Sequence, residues 1–312
     1  MHRIFIDGSV GTTGLRLYER LSTQEDIVLL TLNEAERKNP TKRKELLHEA
    51  DISFLCLPDD AAREAVALCE NSSARLIDTS CAHRTASGWA YGFAELAAGQ
   101  RERIAKSNRV SVPGCHASGY IALTAPLVNA GVLDGEALIS CTSITGYSGG
   151  GKSLIAQYQD EGREKSFKCP RPYALGQAHK HLKEMAAYSG ISTPPVFMPT
   201  LGDFYSGMLV LIPLHNNQLK KRSSIAELRE LYNAHYEGSK VVKVVREVED
   251  NPTLSADKLA GRDDMELLIA GNDERFCLIA RYDNLGKGAS GAALQSMNIM
   301  LNRPQETGLV LK

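Results

Sequence analysis

The chain has 312 residues, 43% hydrophobic and 23% charged, with 36 lysines and arginines against 37 aspartates and glutamates. That length suits two domains, and the composition is that of an ordinary globular protein. A charge balance this even argues against nucleic acid or a membrane surface as partner, and no apolar stretch approaches the ~18 residues of a membrane span. The opening MHRIFIDGSVG lacks the regions of a signal peptide, which predicts a cytoplasmic protein. Seven cysteines, an odd number with no C-x-x-C pair, fit reduced thiols, so neither a disulfide framework nor a metal is expected.

Short apolar runs at Arg3–Asp7, Ile27–Leu32, Ile52–Leu57 and Arg75–Asp78 read as parallel strands covered on both faces. Helical spacing appears between them at Gly14–Leu21, Thr41–Ala50 and Asp59–Asn71. This alternation predicts a Rossmann-like, doubly wound parallel sheet. After Gly119 the texture changes. IALTAPLVNAGV reads as helix, and longer strands follow at Ala137–Ile144, Met208–Leu214, Val241–Val248 and Phe276–Tyr282 without regular crossover helices, which predicts a second, α+β domain with a mixed or antiparallel sheet. The closing ALQSMNIML reads as an amphipathic helix packed back on the first domain. The expected division is 1–115, completed by 288–312, and 116–287. The long strands predict self-association into a homodimer or homotetramer.

The segment DGSVGTTG follows the first strand and opens the first helix. Glycines let a backbone turn tightly and approach a pyrophosphate, whose charge the N–H groups of a helix start favour. Gly8, Val10, Gly11, Thr12, Thr13 and Gly14 are therefore candidates to bind a dinucleotide; a plain strand-to-helix turn is the alternative. After the second strand, Glu34 suits the ribose hydroxyl of NAD, whereas Arg37 and Lys38 suit the 2′-phosphate of NADP, the favoured cofactor.

In SVPGCHASGY, Cys115 follows Pro-Gly at the expected start of a helix near His116 or Ala117. A helix N-terminus favours thiolate, and a thiolate is the nucleophile of acyl transfer. Cys56, Cys69, Cys141 and Cys277 read as buried structural thiols. GQAHKHLKEM supplies a base. On a helix His179 and His181 would diverge, leaving one of them facing the thiol, and the i, i+3 spacing of His181 and Glu184 lets Glu184 orient that imidazole. His116 is the competing base. Phosphate or acyl groups find candidate partners in Ser148, Gly149 and Lys152 of YSGGGK, in Arg84 of AHR after the fourth strand, and in His179.

Together these segments, with IDTSCAHR, YGFAEL and DNLGKGASGAALQSMN, resemble N-acetyl-γ-glutamyl-phosphate reductase of the shorter type, from arginine biosynthesis, over nearly the whole chain. The resemblance implies that Cys115 is the nucleophile, that the histidine segment supplies the acid/base, best matched by His181, and that Asn284, Lys287 and Gly288 touch the nicotinamide end of the cofactor. It also implies NADPH-dependent reduction of the small-molecule acyl phosphate N-acetyl-glutamyl 5-phosphate to N-acetyl-glutamate 5-semialdehyde and phosphate, through a cysteine thioester. The chain departs from the commoner long form at His116-Ala117-Ser118, where that form has Tyr-Pro-Thr, and at Lys152, where it has arginine. Lysine keeps the charge without the bidentate fork.

Aspartate-semialdehyde dehydrogenase shares the chemistry but surrounds its nucleophile with Asn-Cys, where this chain has Gly114-Cys115. A reductase of a carrier-linked substrate in lysine biosynthesis resembles the long form. A non-catalytic NADP-binding redox sensor would need neither the histidine segment nor a large second domain.

Overall fold

A computed structural model describes residues 1–70, 72–246 and 253–312. They form two compact units: Met1–Ala94, Ala98–Pro113 and Ala289–Leu309 make the first, and Glu95–Ala97, Gly114–Gly288 and Val310–Lys312 the second.

In the first unit β1 (His2–Asp7), α1 (Thr12–Leu21), β2 (Ile27–Leu30), α2 (Pro40–Glu49), β3 (Ile52–Leu55), α3 (Asp59–Ala67), β4 (Leu76–Asp78), β5 (Ala90–Tyr91), α4 (Gln100–Lys106) and β6 (Arg109–Ser111) follow in turn. The strands lie in the order β2-β1-β3-β4-β6-β5, and every pairing is parallel. All four residues of β3 (ISFL) are buried, Ser53 included, as a central strand covered on both faces requires. Strand β2 stops short of Leu32 because its pairing ends at Phe5↔Leu30, beyond which β1 continues beside β3 to Asp7↔Leu55. That divergence opens a crevice at the carboxyl ends of β1 and β2. Helix α2 starts where Pro40 presets φ and the Asn39 side chain accepts from the N–H groups of Thr41 and Lys42. Helix α3 ends at Ala67, and Asn71 of the expected span lies outside the described residues.

In the second unit come α5 (Cys115–Asn129), β7 (Ser140–Gly146), α6 (Gly151–Gln159), β8 (Arg171–Pro172), α7 (Leu182–Ser189), β9 (Val196–Gly202), β10 (Met208–His215), α8 (Ile225–His235), β11 (Val242–Val245), β12 (Met265–Gly271) and β13 (Arg275–Tyr282). The sheet order is β11-β12-β13-β10-β7-β9-β8, parallel at β11–β12 and β7–β9 and antiparallel elsewhere. Of the expected strand Val241–Val248, Glu247 and Val248 lie outside the described residues. Helix α5 packs on β10, β13 and α7 and is buried from His116 to Leu127.

The last helix, α9 (Gly291–Met300), belongs to the first unit. It is buried on every side and not amphipathic as expected. Ala292, Ala293, Leu294, Met297 and Ile299 join the apolar core of that unit, while Asn298 donates to the carbonyls of Gln305 and Thr307 and Ser296 to that of Ala292. Most of its polar groups find partners inside the protein, while Asn298 Oδ1 is buried without one.

Gly8 has φ +89°, and a Cβ there would stand 2.3 Å from the Cys56 carbonyl oxygen. Gly8→Ala is expected to destabilise the fold by about 1–3 kcal/mol in urea unfolding. At Gly11 the nearest atom to an added Cβ is the Gly8 carbonyl oxygen at 3.5 Å. Gly11→Ala should therefore cost less than about 1 kcal/mol, chiefly the loss of a favourable cap residue. Equal midpoints for the two variants would contradict this assignment.

Candidate active site

The glycines of the first loop divide their duties. Gly8 and Gly14 are held bare by the protein itself, since a Cβ on Gly14 would come 2.3 Å from the Gly8 carbonyl oxygen. Gly11 caps α1, and Thr12, Thr13 and Gly14 form its first turn, where backbone N–H groups lack intrahelical acceptors. Because the protein leaves room at Gly11, a smooth backbone surface faces outward there. Beside it lies a cavity of about 550 Å³, whose lining includes Gly8, Val10, Tyr18, Glu34, Arg37 and Lys38. Gly8 and Val10 of the loop and all three charged residues singled out after the second strand thus share one cavity, whereas Gly11, Thr12, Thr13 and Gly14 are not among its lining residues. Glu34 and Arg37 form a 2.7 Å ion pair at its edge. These donors and the open helix start fit a dinucleotide phosphate.

At the end of β1 the buried Asp7 accepts from Nε and Nη2 of Arg43, at 3.0 and 2.8 Å. Burial pushes its carboxyl up, and Arg43 opposes that shift. Sequence reasoning passed over this pair, although an acid closing the first strand was visible.

After β4, Arg84 is buried, with Nε donating to the Val112 carbonyl at 2.9 Å and Nη2 to that of Thr79 at 3.3 Å. These bonds tie the exits of β4 and β6 together. The residue before it, His83, was missed: its Nδ1 lies 2.6 Å from the buried Asp78 carboxyl group, and its ring stacks on Trp89 at 4.3 Å. An acid at a strand end five residues before a histidine was the available signal.

In the second unit α5 begins at Cys115 itself, with Gly114 in extended conformation as its cap, slightly earlier than expected. The Gly114 N–H donates to Glu184 Oε2 at 3.0 Å, and the Cys115 carbonyl accepts from the Tyr282 hydroxyl at 2.5 Å. A Cβ on Gly288 would lie 2.9 Å from the Cys115 Cβ, so only glycine lets the loop close behind the thiol. Cys115 is half-buried, and so are Cys56 and Cys277, which were expected to be buried like Cys69 and Cys141; desolvation still pushes the Cys56 thiol up to about 12 and that of Cys277 up to about 11.

The histidines converge instead of diverging. Helix α7 begins at Leu182, so His179 lies in the preceding turn, and the helical spacing that separates residues two apart does not apply. The rings of His179 and His181 meet edge to face at 4.6 Å, and both lie against His116, at 5.3 and 5.5 Å. The His181 N–H donates to His179 Nδ1 at 3.1 Å, so neutral His179 carries its ring proton on Nε2. His181 Nε2 stands 4.0 Å from Glu184 Oε1, an ion-pair distance longer than a hydrogen bond. His116 has Ser143 Oγ at 2.7 Å from Nδ1 and Tyr173 Oη at 2.7 Å from Nε2. Burial, and secondarily His179, lowers its pKa to about 3. Both ring nitrogens are thus engaged with hydroxyls. Sequence reasoning missed Ser143 and Tyr173, which carry no local signal.

The loop after β13 is anchored at each candidate. Asn284 donates from Nδ2 to Ser148 Oγ at 3.0 Å and accepts the Gly207 N–H at 2.9 Å. Gly149 is held close to the same amide, since a Cβ there would stand 3.3 Å from Asn284 Nδ2. Lys287, 1% exposed, donates to Glu95 Oε2 at 2.7 Å. Gly286–Ser290 makes a π-helical turn, a feature frequent at functional sites. Lys152 is exposed in the first turn of α6. Among the described residues no His, Cys, Asp and Glu cluster is arranged to hold a metal ion, and no helix is long and apolar enough to cross a membrane.

Residues 3–107 match the family model "semialdehyde dehydrogenase, NAD binding domain", and residues 115–284 match "semialdehyde dehydrogenase, dimerisation domain". N-acetyl-gamma-glutamyl-phosphate reductase 2 of Nostoc sp. is 44% identical over 318 residues, covering 98% of this chain and 99% of the relative. The N-acetyl-gamma-glutamyl-phosphate reductase of Brucella ovis is 45% identical over 307 residues, covering 96% and 99%. Among solved structures, aspartate semialdehyde dehydrogenase II complexed with ASA from Vibrio cholerae superposes with a TM-score of 0.74 at 14% identity, covering 97% of this chain and 98% of that one. Aspartate semialdehyde dehydrogenase with NADP from Candida albicans gives 0.66 at 14% identity, covering 96% and 98%. At that identity the likeness establishes the fold, two-unit architecture included.

The folded value of His116, about 3, lies below its ordinary 6.5, so the unfolded chain takes up this proton first as pH falls. Its contribution to stability is complete above 6.5 and is lost as pH falls from 6.5 towards 3. Urea midpoints measured at pH 7.5 and 5 should therefore drop more for the wild type than for His116→Asn. The lowered His235 pKa acts in the same direction but is common to both proteins. Parallel drops would contradict the neutral, buried imidazole.

Proposed function

This chain belongs to the semialdehyde dehydrogenase family, within it to the N-acetyl-γ-glutamyl-phosphate reductases, and we propose that it is an NADP-dependent oxidoreductase of arginine biosynthesis. Its reaction is the reduction of N-acetyl-glutamyl 5-phosphate to N-acetyl-glutamate 5-semialdehyde and phosphate. We read it as a cytoplasmic enzyme. The observation that carries the reading is Cys115 in the first turn of α5, braced by Gly288 behind it and joined through Gly114 to Glu184 beside His181.

His181 takes the Cys115 thiol proton, because His116 and His179 are committed by their hydrogen bonds. The thiolate attacks the acyl carbon, and the carbon–oxygen bond to phosphate breaks. The departing phosphate oxygen receives the proton from His181, leaving a thioester on Cys115. The N–H groups of the first turn of α5 face the acyl oxygen as negative charge develops on it. Bound NADPH would supply the hydride that reduces the thioester carbon to the thiohemiacetal anion. Its carbon–sulfur bond breaks as the carbonyl re-forms, releasing the aldehyde and returning Cys115 to thiolate, and a proton from solvent restores the thiol for the next turnover. Gly8, Val10, Gly11, Thr12, Thr13 and Gly14 hold the cofactor phosphates, and Arg37 and Lys38 favour the 2′-phosphate of NADP. Asn284 and Lys287 anchor the loop that sets Gly288 behind the thiol.

The assembly we propose is a homodimer or homotetramer formed through the outer face of the seven-stranded sheet. There Val196, Met198 and Pro213 are exposed and Ile144 and Leu211 half-buried, interspersed with the polar Ser140, Thr142 and Thr200.

With phosphate and NADP, the wild type should reduce the nicotinamide on addition of N-acetyl-glutamate 5-semialdehyde, faster than with aspartate semialdehyde and faster than with NAD. Cys115→Ser should abolish that absorbance. Silence from the wild type, or an undiminished signal from the variant, sinks the enzyme reading. For the assembly, Met198→Glu should lower the molecular mass measured by light scattering, and a monomeric wild type would overturn that part.

A further inference from the structure

We infer that Ser143 and His116 form a positioning pair that turns the Tyr173 hydroxyl into a hydrogen-bond donor for the negative charge developing at Cys115. The inference deepens the reductase reading and rests on it for the identity of the acyl group. It begins with the satisfaction of a buried hydroxyl. Ser143, in β7, is 0% exposed, and its Oγ lies 2.7 Å from His116 Nδ1. The opposite ring nitrogen lies 2.7 Å from Tyr173 Oη. A neutral imidazole has one donor and one acceptor nitrogen, so two arrangements are open.

If His116 carried its proton on Nδ1, Ser143 would accept it and its own proton would be buried without an acceptor, at a cost of about 1–3 kcal/mol. If Ser143 donates to Nδ1, the ring proton is on Nε2 and is given to Tyr173 Oη. Every proton in the interior is then placed. The phenol's own proton must point away from His116, and Tyr173, only half-buried, can send it outward. Cys115 is near enough that its negative charge, after burial, is a cause of the raised Tyr173 pKa. A donor there stabilises the thiolate before attack and the acyl oxygen after it.

The titratable groups around His116 are Cys115 on its own helix, Tyr173 and His179 in the segment after β8, and His181 with Glu184 at the start of α7; Phe197 of β9 faces it as an apolar ring. His116 itself stays neutral, so the pair works by fixing where protons point and not by moving them.

The test reads two quantities. Tyr173→Phe should lower kcat about tenfold to a hundredfold with KM little changed, as loss of one donor to a developing oxyanion does. It should also raise the pH midpoint of Cys115 alkylation by iodoacetamide by about half a unit to one unit, measured without substrate. Ser143→Ala, which removes the Oγ that bonds His116, should reproduce both changes in part and add nothing in the Tyr173→Phe background. Wild-type kcat and midpoint in Tyr173→Phe overturn the inference, and so do additive losses in the double variant. Thermal melting of each variant separates these effects from unfolding. Should the wild type turn over no semialdehyde, the reductase reading fails, while the alkylation profile still decides for or against the donor.

Discussion

One buried carboxyl group governs the geometry of the second unit's site. Glu184 is 2% exposed, accepts the Gly114 N–H through one oxygen and lies beside His181 through the other. A hydrogen bond from a backbone N–H to a carboxylate contributes about 1.5–3 kcal/mol net, and its loss would strand a buried acceptor. The bond fixes the extended conformation of Gly114, which sets the start of α5 and so the direction of Cys115. Because Glu184 belongs to α7, which packs on α5, the thiol and the imidazole are placed by a single contact and cannot drift independently.

Three imidazoles within one cluster pose an electrostatic problem, since charging one disfavours charging the next. Burial and hydrogen bonding resolve it. His116 is wired between two hydroxyls and kept neutral chiefly by its burial, and His179 accepts a backbone N–H at Nδ1. In the mechanism we propose, the proton is therefore carried by His181.

Much of this was legible in the sequence, because it rests on local pattern. The runs that became β1, β3 and β4 are mostly apolar, interrupted by Arg3, Ser53 and the closing acids Asp7 and Asp78, and the glycine loop stands between a strand and a helix as its chemistry requires. Pro-Gly before Cys115 announced a helix start to within a residue or two. The histidine segment was read with the wrong geometry, since helical spacing was applied to a residue that precedes the helix. In AHR the arginine drew attention for its charge; it is buried and bonds the carbonyls of Val112 and Thr79, while its neighbour His83, paired with Asp78, was passed over. Ser143 and Tyr173 lie 27 and 57 residues from His116. Contacts across such separations leave no periodic trace, and the buried apolar face that would mark α9 as surface-packed is absent because its polar residues bond inside the protein.

Helix α9 has a consequence for biosynthesis. Its side chains belong to the core of the first unit, yet they are encoded after the whole of residues 114–288. At translation rates of about 5–20 residues per second, the nascent first unit waits roughly ten to thirty seconds with its sheet laid down and one flank open. Its strands emerge first, but their burial is completed last, by a helix that is made only after residues 114–288.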